Sequence, residues 1–229
     1  IYYAEGIMSG YGGYIFGQND DGSYNPDDLG IDNAGSIEGA NVIKKFYDEG
    51  VLPSGLVGEQ GTNVLDSLFT EGKAAAVISG PWSLSPYKEA GIDYGVAELP
   101  MLDNGKHMGS FIGVKSYNVS SYSKNGDLAE EFVEFITNEE NSKQRYEVTA
   151  EVPAVAALAE DEAVTASEGA AAIAAQSQYA VLTPGITEMN SVWEPVDGAL
   201  QTIATGKATP ETALPEAAAQ IKSAIAATK

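Results

Sequence analysis

Apolar side chains recur at helical spacing over residues 34–48, between the polar pair Asp32-Asn33 and Gly50. This pattern predicts a surface helix whose first turn is capped by an Asp or Asn side chain and which ends at the glycine. Similar spacing predicts further helices at 127–138, 139–148, 189–204 and 210–227. An alanine-rich stretch, residues 152–180, contains helix breakers and predicts two or three short helices.

Short apolar runs between these helices predict β-strands. The runs are residues 74–78, 94–99 and 111–114. Around residues 11–24, apolar segments flank the pair Asp21-Gly22, and this arrangement is typical of a β-hairpin with a tight turn. Strands that alternate with helices indicate an α/β architecture.

One tryptophan, Trp82, follows a predicted strand. The apolar run 74–78 leads into Ser79-Gly80-Pro81, which is a typical start for a helix. Trp82 is therefore expected in the first turn of that helix, beyond the carboxyl end of a buried strand, where ligands bind in open α/β sheets. A large aromatic side chain at such a position commonly binds sugar. The alternative is that Trp82 is a half-buried packing residue.

The composition excludes several classes of partner and site. The chain has 229 residues, 44% of them hydrophobic, and no run approaches the roughly 18 to 20 consecutive apolar residues of a membrane-spanning helix. Its 33 acidic and 12 basic side chains give a formal net charge of -21, which repels the phosphate backbone, so nucleic acid is not an expected partner. The absence of cysteine excludes disulfides, thiolate nucleophiles and cysteine metal sites.

Few residues could support catalysis or bind a metal. The single histidine, His107, cannot supply a zinc site, and no Gly-x-Ser-x-Gly motif accompanies it to indicate a serine hydrolase. The acidic turn at Asp21 would need an acid where Gly17 stands to form an EF-hand calcium loop. The sequence thus predicts no cofactor and no metal. A glycosidase needs only two carboxylates, so composition does not exclude one.

Nine short blocks, in order along nearly the whole chain, resemble the extracellular solute-binding proteins of ABC sugar importers, of the maltose- and maltodextrin-binding type. The blocks are Tyr2-Tyr3, residues 12–16, 30–35, Phe69 with 72–75, 80–82, 94–96 with 99–100, 111–114, 128–129 with 131–132, and Met189 with Trp193. Any single block would be weak evidence, but nine in the same order are strong evidence.

This resemblance implies an α/β, periplasmic-binding-protein-like (type II) fold of two lobes, with sugar held in the cleft and the lobes closing by a hinge. It assigns residues 1–110 and 169–229 to the carboxyl-terminal lobe, and residues 111–168 to an incomplete amino-terminal lobe. Ile1 is expected to be an internal position of a longer chain, because roughly the first 150 residues of a full-length relative have no counterpart here.

The resemblance also implies the ligand-binding residues. Tyr2, Trp82 and Trp193 match aromatic platforms of the family. Such platforms bind sugar because the C–H face of a pyranose ring lies flat on an aromatic ring, and a stiff aromatic side chain loses little entropy on binding. Tyr3 matches a neighbouring aromatic residue, and Glu5 stands where a maltose-binding relative carries an aromatic one. The full predicted set is Tyr2, Tyr3, Glu5, Trp82, Met189, Asn190 and Trp193.

The predicted function is the carbohydrate-binding component of an ABC transporter, for maltose, maltodextrin or a related oligosaccharide, without catalysis. The expected partners are the sugar and the membrane permease, which the closed, sugar-bound form would dock. The expected location is the cell surface, by a lipid anchor, or the periplasm. Two alternatives stay open: a hydrolase that uses Glu5 or Glu194 near the same aromatic residues, and a sensor that presents bound sugar to a receptor.

The expected lack of an amino-terminal segment has a structural consequence. The predicted strand 111–114 would have no neighbouring strands, and the predicted helix 127–138 would have no sheet to cover. Exposed edges and faces of this kind favour self-association or domain swapping of the chain.

Overall fold

The computed structural model describes residues 1–113 and 115–228, which form two compact units. The first unit consists of Ile1–Val77, Leu99–Ile112 and Tyr179–Lys229, and the second of Ile78–Glu98 and Gly113–Gln178. Each unit is thus assembled from separated stretches of the sequence. The assignment of stretches to an amino-terminal and a carboxyl-terminal lobe stays a prediction.

The structure contains both helices and short strands. In chain order the elements are α1 (Glu5–Gly10), β1 (Phe16–Gln18), β2 (Tyr24–Leu29), α2 (Ala34–Asp48), α3 (Gly61–Thr70), α4 (Leu84–Glu89), β3 (Ser110–Ile112), α5 (Gly126–Thr137), α6 (Glu139–Thr149), α7 (Glu162–Thr165), α8 (Glu168–Ser177), β4 (Ala180–Leu182), α9 (Trp193–Ala204) and α10 (Pro210–Thr228). Short 3-10 helices occur at Ser54–Leu56, Pro81–Ser83, Ala156–Glu160 and Thr187–Ser191.

The first unit is organised around one hydrophobic core. Helices α9 and α10 pack against each other and against α2, and α2 also packs against α1. The side chains of Val192, Val196, Leu214 and Ile221 at the centre of this core have no solvent exposure. Because four helices bury their apolar faces in one place, this core positions every element of the unit that contacts it.

Local sequence signals explain where the elements of this unit begin and end. The side chain of Asn33 caps α2 by accepting a hydrogen bond from the Ser36 amide at 2.7 Å, and Gly50, with φ of 72°, follows the helix end. Strands β1 and β2 form an antiparallel hairpin, and Gly22 at its tip has φ of 83°. The predicted helix, its cap and the predicted hairpin are confirmed.

The second unit, which contains α4 to α8, has a much smaller buried cluster, formed by Tyr146, Val164 and Ala170. Its helices rely on local interactions. Helix α6 begins at Asn138, whose side chain accepts a hydrogen bond from the Asn141 amide at 2.9 Å. The alanine-rich stretch forms three short helices, which confirms the prediction of two or three there.

Helix α5 confirms the helix predicted at 127–138, and its apolar face is in solvent. The structure describes no buried residue in this helix. Leu128, Phe132 and Phe135 follow one another at helical spacing and are 65%, 60% and 61% exposed. We call these three side chains the α5 stripe.

Several sequence predictions are wrong. Residues 74–78 and 94–99 are not strands, because no neighbouring segment among the described residues supplies the hydrogen bonds of a β-ladder. The predicted strand at 111–114 does not lack a neighbour: β3 pairs in parallel with β4, and Phe111 lies opposite Val181. Val114 itself lies outside the described residues.

Two further findings concern helix length. The helix predicted at 189–204 is divided, because Thr187–Ser191 is a 3-10 helix and α9 begins at Trp193. Helix α10 runs from Pro210 to Thr228, close to the predicted bounds. Among the described residues, no helix combines the length and the apolar character that crossing a membrane requires.

Candidate functional site

Two predicted site residues, Tyr2 and Tyr3, lie on the turn that leads into α1. The amides of Ala4 and Glu5 donate to the Ile1 carbonyl at 3.0 and 2.9 Å, and these bonds shape the turn. Tyr2 is 44% exposed and Tyr3 is 36% exposed. Their ring centroids are 5.5 Å apart with an interplanar angle of 81°. In this edge-to-face arrangement the edge of one ring meets the face of the other.

Phe111, at the centre of β3, connects these tyrosines to Trp193. The Tyr2 and Phe111 centroids are 5.7 Å apart at 44°, and the Phe111 and Trp193 centroids are 6.2 Å apart at 66°. We call Tyr2, Tyr3, Phe111 and Trp193 the aromatic cluster. Phe111 and Trp193 are partly buried and pack against the core of the first unit, so the cluster has a rigid inner side and an exposed outer side.

The start of α9 positions Trp193. In the preceding 3-10 helix the Val192 amide donates to the Met189 carbonyl at 3.1 Å, and both of these side chains are buried in the core. Asn190, between them, is exposed. Met189 therefore anchors the segment in the core, while Asn190 is exposed and Trp193 is partly buried. The predicted ligand-binding roles of Met189 and Asn190 stay predictions.

Glu5 is buried, with only 4% of its surface exposed. Burial raises the pKa of this carboxyl to about 7, and a hydrogen bond from the Ser9 hydroxyl, at 3.4 Å, partly opposes the shift. A side chain in this position cannot contact a ligand on the outer surface unless α1 moves. The ligand-binding role predicted for Glu5 stays a prediction that this geometry does not favour.

Trp82 belongs to the second unit and is described with it. It lies in the 3-10 helix Pro81–Ser83, directly before α4, and is 44% exposed. This confirms the predicted place in the first turn of a helix, although the preceding segment is not a strand. Its outer ring occupies the space next to Gly80.

The residues considered for catalysis lie in different environments. The imidazole of His107 stacks on Tyr179 with a centroid distance of 3.9 Å and an angle of 5°, and its buried Nδ1 has no hydrogen-bond partner among the described residues. Among the described residues, no group of three or more His, Asp or Glu side chains could hold a metal ion. Glu194 is exposed while Glu5 is buried.

The structure thus brings together three of the predicted residues, Tyr2, Tyr3 and Trp193, and adds Phe111. The sequence pattern did not identify Phe111 as a site residue, because an aromatic residue inside an apolar run normally belongs to the hydrophobic core. Its position in one of the nine resembling blocks was the only available signal. Aromatic rings that are fixed on one side and exposed on the other can stack on sugar rings.

Comparisons with known proteins identify the family of this chain. The model of a family described as bacterial extracellular solute-binding protein matches residues 3–172. The galactooligosaccharide-binding protein of Bacillus subtilis (strain 168) is 60% identical over 227 residues, which are 99% of this chain and 54% of that protein. A maltooligosaccharide ABC transporter solute-binding lipoprotein of Streptococcus pneumoniae (strain ATCC BAA-255 / R6) is 35% identical over 98% of this chain and 52% of its own length.

A solved structure extends the likeness to the fold. The maltose-maltodextrin binding protein of Alicyclobacillus acidocaldarius superposes with a TM-score of 0.90 at 28% identity, over 96% of this chain and 59% of that one. The chain spans about half the length of the curated relatives it matches. The predicted α/β fold of the type II periplasmic-binding-protein class is confirmed, and this chain spans part of it.

Proposed function

This chain belongs to the bacterial extracellular solute-binding proteins, and we propose that it binds an oligosaccharide and releases it unchanged. The aromatic cluster is the observation that carries this proposal. Its rings follow one another at centroid distances of 5.5 to 6.2 Å, supported on the inner side by the core and exposed at Tyr2 and Tyr3. Stacking on C–H faces needs this kind of rigid, half-exposed aromatic surface.

Galactooligosaccharide is the favoured ligand, with maltodextrin as the second candidate. The relative named for galactooligosaccharide is 60% identical, whereas the relative named for maltooligosaccharide is 35% identical. Galactose also suits an aromatic platform, because its axial 4-hydroxyl leaves a continuous C–H surface on one face of the ring. Hydroxyl edges would then be oriented by polar side chains, for which the exposed Asn190 is the candidate within the first unit.

The proposed partner is the membrane permease of an ABC transporter, and the proposed location is outside the cytoplasmic membrane. The family is described as extracellular, and the streptococcal relative is named as an ABC transporter lipoprotein. An acidic protein of net charge -21 would not adhere to anionic membranes while it exchanges sugar with the transporter. A hydrolase is disfavoured, because the Bacillus and Streptococcus relatives are named as binding proteins.

A titration of tryptophan fluorescence tests the proposal. Galactobiose, a galactooligosaccharide mixture, maltotriose and unrelated sugars would be added to the 229-residue chain and to the chain extended at its amino terminus. We expect the extended chain to respond most strongly to galactooligosaccharide, and the 229-residue chain to bind on the order of millimolar, since less of the sugar is enclosed. Chromatography of the sugar afterwards should show no product.

Two variants localise the response. Tyr2→Ala removes an exposed ring of the aromatic cluster and should weaken binding by about tenfold. Tyr122→Ala removes a tyrosine that is exposed in the second unit, and should leave affinity unchanged. Absence of a response to every sugar, or equal effects of the two substitutions, would contradict the proposal.

The proposal includes self-association of the 229-residue chain through the α5 stripe. Three large apolar side chains in solvent lose contact with water when a second copy covers them. The net charge opposes this contact, so salt should strengthen it by screening. Light scattering over a range of concentration and salt tests the idea: Phe132→Gln should shift the chain to monomer, and Glu130→Gln on the same helix should not. A monomer at high concentration and high salt would contradict it.

A further inference from the structure

The indole of Trp82 lies where a side chain at position 80 would otherwise be. A β-carbon built on Gly80 would come within 2.7 Å of Trp82 Cζ2, and closer still to Cζ3 and Cη2. Heavy atoms that are not bonded do not approach so closely, so any side chain at position 80 would force the outer ring of Trp82 to move. The backbone of Gly80 therefore borders one side of the ring.

Backbone conformation does not explain the glycine. Gly80 has φ of -143° and ψ of -176°, which is extended backbone that any residue adopts. Pro81 favours this conformation in the residue before it, whatever that residue is. The need for glycine at position 80 thus comes from the ring of Trp82 rather than from the turn.

The turn that carries the two residues is fixed by hydrogen bonds. The Ser83 amide donates to the Gly80 carbonyl at 3.0 Å, and the hydroxyls of Ser79 and Ser83 are 2.6 Å apart. Position 80 and the start of the Trp82 side chain are therefore held at a constant separation. Since the backbone is held, a substitution at position 80 would change the ring orientation rather than the path of the chain.

We propose that Gly80 is a positioning residue, which sets the orientation in which the exposed face of Trp82 stacks on sugar. The inference rests on the proposed function, because it takes Trp82 as a ligand contact. Glycine allows the ring to lie against the backbone, and 44% of the Trp82 surface is exposed. An alanine at position 80 would tilt the ring and misalign this face, although alanine suits the extended backbone.

The spectra are recorded with Gly80→Ala in a Trp193→Phe background, so that Trp82 is the only tryptophan, and the affinities are compared in chains that retain Trp193. Gly95→Ala is the matched control, because Gly95 lies in the same unit and a β-carbon there would meet no atom within 4 Å. Without sugar, Gly80→Ala should shift the fluorescence emission and near-ultraviolet circular dichroism of Trp82, and Gly95→Ala should not. With galactooligosaccharide, Gly80→Ala should weaken binding by about tenfold with an unchanged thermal midpoint.

A second background separates positioning from a general structural effect. Trp82→Phe lacks the outer ring atoms that conflict with a β-carbon at position 80, so adding Gly80→Ala to it should change affinity less than twofold. An unchanged Trp82 spectrum, or a spectral shift with unchanged affinity, overturns the inference while the proposed function stands. Absence of sugar binding by the unsubstituted chain overturns the proposed function, and with it the binding role of Gly80.

Discussion

In the first unit, α2, α9 and α10 bury their apolar faces against one another, whereas in the second unit α5 presents its apolar stripe to solvent. The first unit has a continuous core that includes side chains from both of its hairpin strands and from four helices. The described core of the second unit is a cluster of three residues. The comparison teaches that an amphipathic sequence determines which face of a helix is apolar, but not whether another segment covers it.

The predicted sugar contacts belong to both units. The aromatic cluster is supported by the large core of the first unit, because Phe111 and Trp193 pack against it. The turn that carries Trp82 is fixed by local hydrogen bonds in the second unit. We therefore expect the stacking surface of the first unit to be preorganised by tertiary packing, and that of Trp82 to depend on nearby residues.

The largest expected effect comes from the same substitution made in both units. Leu214→Ala removes a fully buried side chain of α10 and should lower the free energy of unfolding by roughly 3 to 4 kcal/mol. Leu128→Ala, in the exposed α5 stripe, should change it by less than about 0.5 kcal/mol at low protein concentration and low salt, where the chain is monomeric. Urea unfolding followed by circular dichroism measures both. Similar losses from the two substitutions under these conditions would mean that α5 is covered within the monomer.

The next largest effect concerns pH. The folded-state pKa of Glu5, about 7, lies above its ordinary value of 4.5. The folded protein therefore keeps the Glu5 proton to a higher pH than the unfolded chain does. The stability that protonated Glu5 contributes to the folded state is fully present below pH 4.5 and is lost as the pH rises through 7. Glu5→Gln should reduce the pH-dependent change in the free energy of unfolding by roughly 2 to 3 kcal/mol. The variant should therefore be more stable than the parent at pH 8.

Thermal midpoints at pH 5 and pH 8 test this expectation. Glu194→Gln removes an exposed acid and is the matched control for the general effect of lowering the net charge. If Glu5→Gln and Glu194→Gln give the same pH profile, the burial of Glu5 is not responsible for the slope.

The smallest effect compares the two helix caps. Asn33 caps α2 in the first unit, and Asn138 caps α6 in the second, each by accepting from a backbone amide three residues later. Asn33→Ala should lower the free energy of unfolding of the first unit by about 1 kcal/mol. Asn138→Ala should reduce helicity near α6 and leave the unfolding of the first unit unchanged. Hydrogen exchange resolved along the sequence distinguishes these outcomes, and a global loss from Asn138→Ala would mean that the two units unfold together.

Features that depend on neighbouring residues in the sequence were predictable. Asn33 before α2, Gly22 at the hairpin tip and Pro210 at the start of α10 each act within a few residues, so the sequence pattern identified them. The family resemblance identified Tyr2, Tyr3 and Trp193, which the structure brings together with one further ring.

Features that depend on distant segments were not predictable from the same patterns. The run 74–78 is apolar enough for a strand, but a strand also needs a neighbour, and none of the described segments pairs with it. Phe111 joins the aromatic cluster because β3 lies near both the amino-terminal turn and the start of α9. The burial of Glu5 likewise results from tertiary packing of α1, which no local pattern reports.

Hydrogen exchange with and without galactooligosaccharide tests most directly whether the aromatic cluster of the well-packed unit is the sugar site. Without sugar, α9 and α10 should exchange slowly and α5 quickly. Added sugar should slow exchange at residues 1–4, 110–112 and 189–194, and leave α5 unchanged. Exchange at these three segments that stays the same at saturating sugar would contradict the account.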